Sequence, residues 1–190
     1  VVKGDLDSST TKEMLLIKLE SLGYTIQDSL RLLPEDTPLG DKKYGVVNLS
    51  VCNLHSKADF SSEMVTQGLL GMPIHLLDFD NWYRINMPDG YVAWVHRAAI
   101  VSMTKEEYDV WNRAEKIIVT SHYGFTYEKA DVKSQTVSDV VSGNRLKWEG
   151  TEGNFYKVSY PDGRKAYVAR AISQPESEWR KVLKQDPESI

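Results

Sequence analysis

The sequence contains one thiol, Cys52, and a histidine three residues after it, His55. Catalysis by a thiol needs residue types of this kind, because a neighbouring base or a helix N-terminus must activate the thiolate. Residues 50–55 alternate like a β-strand, however, so the two side chains would point to opposite faces. We therefore interpret Cys52 as a buried or incidental cysteine without a catalytic role.

The other chemistry-bearing residues form no catalytic or metal-ligand pattern. The histidines have no i, i+4 pairing on a helix and no Cys, Asp or Glu cluster at ligand spacing. They are His55, His75, His96 and His122. The sequence also lacks a glycine-rich phosphate loop and a Gly-x-Ser-x-Gly elbow. We expect no catalytic residue, no metal and no cofactor, and we expect the histidines to be scattered over the surface.

The composition narrows the classes of partner. The 190 residues include 23 Lys and Arg against 27 Asp and Glu, which gives a net charge of −4. This balance, without a basic cluster, argues against nucleic acid, whose phosphates require a concentrated basic face. The most apolar stretch, 69–77, is interrupted by Gly, Pro and His and is far shorter than the roughly 20 residues of a membrane helix. We predict neither a nucleic-acid partner nor a membrane span.

The strongest pattern along the chain is an internal repeat. Residues 46–101 align with residues 117–173, first at an offset of 72 and then at an offset of 73. Within them, Pro88-Asp89-Gly90 matches Pro161-Asp162-Gly163. A one-residue insertion near Gly153, in an expected hairpin loop, accounts for the change of offset. So many matches in one register indicate a duplicated domain.

Each copy of the repeat is typical of short strands joined by tight turns. Pro-Asp-Gly favours a turn, because Pro presets the first dihedral angle and Gly accepts a positive φ. In the first copy, aromatic and apolar residues alternate on both sides of this turn, at 82–86 and 91–95. This pattern predicts a hairpin, and the set of short strands predicts a small antiparallel barrel for each copy.

Two helices are predicted beside the barrels. Thr104 and Glu107 have the spacing of a capping box, which opens a short helix between the copies. After the second copy, Pro175 and two early glutamates open a closing helix. We expect its apolar side to pack on a barrel. The residues of that side are Trp179, Val182 and Leu183.

The N-terminal segment differs in character from the repeat. Its first 33 residues are typical of a strand, a helix and a strand, and a β-α-β unit with nothing before its first strand is an incomplete layer. The chain begins Val1-Val2-Lys3-Gly4, without Met or a leader, which indicates a processed or excised piece. We predict a mainly β fold in five parts. They are an incomplete α/β segment (1–40), a first barrel (41–103), a linker helix (104–116), a second barrel (117–173) and a C-terminal helix or linker (174–190).

The aromatic residues beside the two Pro-Asp-Gly turns have two possible roles. Small barrels bury some aromatic side chains to form a core, whereas those left in a cleft would line a groove for a peptide or a glycan. The residues concerned are Tyr83, Tyr91, Trp94, Tyr156 and Tyr167. The sequence leaves both roles open.

The repeat resembles a known family of bacterial domains. The runs 46–56 and 62–73 and the hairpin 82–95 look like a bacterial SH3-like (SH3b) domain. More narrowly, residues 44–173 resemble the SH3b pair that precedes the catalytic domain of NlpC-type cysteine peptidases. Those peptidases are γ-D-glutamyl-L-diamino acid endopeptidases, also called dipeptidyl-peptidase VI, and they cleave peptidoglycan stem peptides. The resemblance implies that both barrels are SH3-like.

The resemblance also implies a substrate pocket to which the first SH3b domain contributes. In this family an acidic residue and a tyrosine help to recognise the free N-terminal L-Ala amine of the stem peptide. The matching positions are Glu63, within 62–67, and Tyr91, directly after the Pro-Asp-Gly turn. Trp94 of the same hairpin is the third candidate for substrate binding. A carboxylate forms a strong charge-assisted hydrogen bond with an ammonium group.

Two departures distinguish this chain from a complete peptidase of that type. The Asn-Leu-Arg pattern of the family is Asn53-Leu54-His55 here, and the peptidase domain with its Asp-Cys-Ser-Gly motif is absent from the sequence. We therefore expect a non-catalytic module of the bacterial cell envelope, periplasmic or secreted with its signal removed. Its expected partners are peptidoglycan or its stem peptide and a catalytic peptidase domain. The alternatives are a stand-alone tandem module that binds a protein or peptide, and a spacer without a ligand.

Overall fold

The structure, a computed structural model, describes residues 1–34 and 36–185. It begins with a β-α-β unit whose two strands are parallel. The elements are strand β1 (Val2–Leu6), helix α1 (Ser9–Ser21) and strand β2 (Asp28–Leu32), followed by a short helix α2 (Asp36–Leu39). Ser8 caps the start of α1, and Gly23, at a φ of 83°, follows its end. The β-α-β unit predicted from the sequence is therefore present.

Two antiparallel sheets of seven strands follow, as the predicted mainly β fold requires. The strands of the first barrel are β3 (Tyr44–Val47), β4 (Val51–His55), β5 (Met64–Leu69), β6 (Pro73–Asp80), β7 (Trp82–Asn86), β8 (Val92–His96) and β9 (Ile100–Met103). Those of the second barrel are β10 (Lys116–Val119), β11 (Tyr123–Tyr127), β12 (Thr136–Val141), β13 (Arg145–Glu152), β14 (Phe155–Ser159), β15 (Lys165–Ala169) and β16 (Ser173–Pro175). A 3-10 turn precedes the last strand of each sheet.

The repeat seen in the sequence is confirmed by the topology. The sheet orders β5-β4-β8-β7-β6-β3-β9 and β12-β11-β15-β14-β13-β10-β16 are the same arrangement of equivalent strands. The one-residue insertion falls where it was predicted, since the first copy has only Asn81 between β6 and β7, and the second has Gly153 and Asn154 between β13 and β14. Asn81 and Gly153 both have left-handed backbone, at φ values of 56° and 54°.

A helix follows each barrel, so the repeat unit includes a helix. They are α3 (Lys105–Arg113) and α4 (Glu176–Gln185). In α4, Glu176 pairs with Arg145 of the second barrel at 2.9 Å and Trp179 is half-buried. Val182 is 57% exposed, so the expected packing of the apolar side on a barrel does not extend to Val182. The side chain of Leu183 lies outside the described residues.

Helix α3 is held at both ends. The predicted capping box is present, since Thr104 accepts from the backbone N–H of Glu107 and the Glu107 carboxylate accepts from the backbone N–H of Thr104 at 2.9 Å. Beyond the other end, the Lys116 ammonium donates to the carbonyl oxygens of Trp111 and Ala114, at the C-terminal end of the helix. Burial lowers the pKa of Lys116 to about 8. The ammonium group thus ties the end of α3 to the first strand of the second barrel.

The two barrels share part of their core. Leu70, in the turn between β5 and β6, is 1% exposed and packs with Ile117, Val140 and Leu146 in the core of the second barrel. Its carbonyl oxygen accepts from the backbone N–H of Arg145 at 2.9 Å. The barrels are therefore packed against each other directly and do not depend on α3 alone for their connection.

Polar contacts complete the interface between the barrels. The side-chain amide of Asn144 donates to the carbonyl oxygen of Ser50 at 2.8 Å, and the Ser50 hydroxyl donates to Asp139 at 2.6 Å. Asn48 donates to Asp162 at 2.9 Å. These bonds join the loop between β3 and β4 to β12, to the turn that follows β12 and to the turn between β14 and β15, which fixes the position of one barrel against the other.

Ion pairs attach the N-terminal unit to the first barrel. Asp5 of β1 pairs with Arg84 of β7 and, at 2.9 Å, with Arg31 of β2. Arg31 also pairs with Asp78 of β6 at 3.2 Å. The domain boundaries given above stay a prediction. In the part of the chain that the structure describes, no helix is long and apolar enough to cross a membrane.

Replacing Gly71 with alanine should destabilise the packed pair of barrels. A Cβ at this position would collide with the carbonyl oxygen of Arg145, and the φ of 83° is unfavourable for alanine. We expect the free energy of unfolding to fall by about 2–4 kcal/mol, from backbone strain and overpacking together. Urea denaturation followed by tryptophan fluorescence measures this loss.

Gly90→Ala is the matched control. Gly90 has a φ of 86°, but an added Cβ there meets no atom within 4 Å. We expect this variant to lose about 1–2 kcal/mol, from backbone strain alone. Equal losses in the two variants would contradict a packing requirement for glycine at position 71.

Candidate functional site

The candidate residues Glu63, Tyr91 and Trp94 lie in or directly before the two strands that flank β4. Met64, the first residue of β5, and Trp94 of β8 both pair with His55, the last residue of β4. Because β4 is antiparallel to both neighbours, β5 and β8 begin at the same edge of the sheet. Glu63 and Tyr91 directly precede these two strands and therefore share that edge.

The polar groups at this edge are available to a ligand. Glu63 is exposed, Tyr91 is 47% exposed and Trp94 is half-buried. Among residues 1–34 and 36–185, nothing forms a hydrogen bond with the Glu63 carboxylate, the Tyr91 hydroxyl or the Trp94 indole N–H. The edge thus presents one carboxylate, one hydroxyl and one N–H donor, a set that suits a cationic group with polar neighbours.

An aromatic groove of about 440 Å³ lies in the same barrel. We give this name to the groove formed by His55, Phe60, Trp82 and His96. The rings of Phe60 and Trp82 are 4.6 Å apart at their centroids, and those of His55 and Trp82 are 5.5 Å apart. Phe60 is 68% exposed although its ring lies against Trp82. The groove therefore has an aromatic wall that a ligand can reach.

The aromatic groove corrects the expectation that the histidines are scattered over the surface. His55 is 7% exposed and His96 is half-buried, and both contact the Trp82 ring. His55 does lie on the face opposite the core, as the strand alternation predicted, but Phe60 and Trp82 cover it. This clustering brings together residues from β4, β7, β8 and a loop, and no pattern local in sequence indicates it. His75 and His122 are exposed.

A comparison with protein families decides the nature of the first barrel. Residues 54–100 match the family model of the bacterial dipeptidyl-peptidase Sh3 domain. The first barrel is a bacterial SH3 domain. The matched segment contains Glu63, Tyr91 and Trp94 as well as the aromatic groove, and it confirms the resemblance to SH3b domains of NlpC-type peptidases.

Solved structures that are similar to this chain carry the NlpC/P60 name. An NlpC/P60 family protein from Bacillus cereus ATCC 10987 is 17% identical, with a TM-score of 0.58 over 69% of this chain and 55% of that chain. An NlpC/P60 endopeptidase from Photobacterium damselae subsp. piscicida is 16% identical, with a TM-score of 0.49 over 72% of this chain and 33% of that chain. This chain thus spans little more than half of the Bacillus cereus protein. Among curated proteins, none matches the sequence.

The thiol of the SH3 domain is enclosed in its core. Cys52 is 4% exposed and packs with Leu54 and Val47. Burial raises the pKa of its thiol to about 11, whereas a nucleophilic cysteine needs a lowered pKa. The interpretation of Cys52 as a buried cysteine is confirmed. Within the described residues, no group of three His, Cys, Asp or Glu side chains is placed to hold a metal ion.

Cys52 should react slowly with thiol reagents in the folded protein. At pH 8 a thiol with a pKa of about 11 is roughly a thousandth ionised, against roughly a quarter for an unperturbed thiol. We expect the reaction with dithionitrobenzoate to be about a hundredfold slower in buffer than in urea, and to accelerate as the pH rises towards 11. Equal rates in buffer and in urea would show that the thiol is accessible and ionised.

Proposed function

We propose that this chain is the non-catalytic part of a peptidoglycan stem-peptide hydrolase. In this proposal its SH3 domains target the cell wall and shape the substrate site of a catalytic peptidase domain. The observation that carries the proposal is the unpartnered Glu63 carboxylate at the sheet edge that it shares with Tyr91, within a segment that matches the bacterial dipeptidyl-peptidase Sh3 domain. A location in the bacterial cell envelope follows from the same substrate.

The edge formed by Glu63 and Tyr91 fits the free amine of a stem peptide. Glu63 pairs with the N-terminal ammonium group of L-Ala, and an ion pair of this kind is stronger than a bond between neutral groups. The Tyr91 hydroxyl and the Trp94 indole N–H bind the polar groups next to that amine. A catalytic peptidase domain supplies the nucleophile, since Cys52 is enclosed in the core.

The second barrel has other residue types at the positions of Glu63 and Tyr91, which supports the assignment of the amine site to the first barrel. Gln135 stands at the position equivalent to Glu63, and Arg164 stands at the position equivalent to Tyr91. A neutral amide binds an ammonium group more weakly than a carboxylate does, and a guanidinium group repels it. The amine site therefore belongs to the first barrel alone, and the glutamine of the second barrel indicates that Gln is tolerated structurally at position 63.

Glu63→Gln should weaken the binding of a stem tripeptide that carries a free N-terminal L-Ala amine. We expect about a tenfold rise in the dissociation constant, because a charged hydrogen bond becomes neutral. N-acetylation of the tripeptide should cause a similar loss, with no further loss in Glu63→Gln. Chemical shifts of the labelled chain during a titration with each peptide measure these constants.

The control for this experiment is Glu13→Gln, which removes an exposed carboxylate from α1 and should leave binding unchanged. Equal affinity of the native chain for the free and the N-acetylated tripeptide would contradict the proposed contact between Glu63 and the amine. Additive losses from the substitution and the acetylation would also contradict a direct contact between the carboxylate and the amine.

The aromatic groove favours a second candidate function, a tandem module that binds an extended peptide. The exposed ring of Phe60 against Trp82 is the specific observation behind it. In this case Phe60→Ala should weaken binding of a proline-rich peptide about fivefold or more, because stacking area is lost. Fluorescence of the tryptophans measures the binding, and the control is Met14→Ala, which removes an exposed apolar side chain from α1.

The two candidate functions are distinguished by the ligand that binds. Saturable binding of the free-amine tripeptide that depends on Glu63 supports the stem-peptide function. Saturable binding of the proline-rich peptide that depends on Phe60 and not on Glu63 supports the peptide-binding module.

A further inference from the structure

The second barrel contains a groove that the proposed function does not use. Its volume is about 800 Å³, and it lies between the start of β14, the 3-10 turn after β15 and the strand β16. Phe155 and Val132 contribute apolar surface, and Asn154, Arg170 and Gln174 contribute polar surface. We call it the Arg170 groove.

Arg170 is held over a rigid aromatic support. Its guanidinium carbon lies 5.6 Å from the centroid of the Tyr156 ring. Tyr156 is 7% exposed and contacts Trp148 edge-to-face at 5.7 Å. A guanidinium group over a ring face keeps its N–H groups available at the edge of its plane, where a carboxylate can bind with two hydrogen bonds.

The charge of Arg170 is not neutralised within the described part of the chain. Arg170 is exposed and forms no ion pair there, and the residues that line the groove include no Asp or Glu. The groove therefore presents a positive charge without a counter-charge. Its charge is complementary to an anionic ligand.

Two amide side chains add hydrogen-bonding groups to the groove. Asn154 and Gln174 make no side-chain hydrogen bonds among the described residues. The hydroxyl groups of Thr120 and Ser173, by contrast, already donate to the carbonyl oxygens of Ile172 and Ala169. The available groups are thus one guanidinium and two amides, which can bind a carboxylate and the adjoining peptide groups.

The first barrel lacks this combination. Arg97 stands at the position equivalent to Arg170, but Val101 stands at the position of Gln174. Arg97 is exposed and has no cation-π contact with Tyr83, the equivalent of Tyr156, among the described residues. Arg97 therefore offers a matched control for Arg170.

We propose that the Arg170 groove binds the C-terminal carboxylate of a short peptide. Arg170 forms two hydrogen bonds with the carboxylate, and Asn154 and Gln174 bind the last peptide groups. Phe155 and Val132 contact the side chains of the peptide. The site is separate from the edge that holds Glu63 and Tyr91, because it belongs to the other barrel.

A titration of the full chain with tri-alanine tests this proposal. The free acid should shift the side-chain amide signals of Asn154 and Gln174 and the Nε signal of Arg170, and the C-terminal amide of the same peptide should bind about tenfold more weakly. Arg170→Gln should cause the same loss for the free acid and no further loss for the amide. Arg97→Gln should leave both affinities unchanged.

Three results would overturn the proposal. They are equal affinity for the free acid and the amide, an equal loss in Arg97→Gln and Arg170→Gln, and the absence of saturable shifts at the three signals. Because Arg170 is exposed, we expect its variants to fold, and thermal unfolding of each variant checks this. Arg170→Lys should restore part of the affinity for the free acid, since the charge returns without the planar group.

Discussion

The packing of the two barrels depends on one side chain of the first barrel that is buried in the core of the second. Leu70 lies in a turn of the first barrel and is buried among the core residues of the second. The next residue, Gly71, comes so close to Arg145 that no side chain fits between the two backbones. Burial of a leucine side chain contributes about 1.5–3 kcal/mol. The barrels are therefore coupled in stability as well as in position.

This coupling places unlike binding surfaces on one rigid support. The first barrel carries an exposed carboxylate at a sheet edge and an aromatic groove, and the second carries a groove with an unneutralised guanidinium group. The two barrels are copies of one scaffold, and the residues at the positions of Glu63, Tyr91 and Phe60 are of other types in the second copy. Core positions such as Val95 and Val168, by contrast, are identical in type in the two copies.

The features that the sequence predicted are the local ones. Pro-Asp-Gly turns, the capping box at Thr104 and the insertion at Gly153 each depend on a few neighbouring residues, so their patterns are visible in the chain itself. The family resemblance identified the segment with Glu63 and Tyr91 because it matches residue types in one register. Local patterns and the family resemblance can both be read from the sequence without knowledge of the three-dimensional structure.

The features that the sequence did not predict depend on contacts between distant residues. Phe60 covers His55 because a loop folds back over the sheet. His55 and His96 come from two other strands, and both contact Trp82. Arg170, in the 3-10 turn after β15, lies over the ring of Tyr156 in β14. The burial of Leu70 depends on the second barrel, and hydrophobicity alone cannot distinguish a residue that fills its own core from one that fills a neighbour's.

The counterpart of Leu70 in the second copy is Ser142, and it is exposed. In arrays of repeated units, each interface adds to the stability of the next unit, and a polar surface at the end stops the series. Ser142 is such a polar surface, since a hydroxymethyl group cannot fill a neighbouring core as leucine does. The turn that docks in the first copy is thus a polar, exposed turn in the second, so the duplicated domains use equivalent turns for different surroundings.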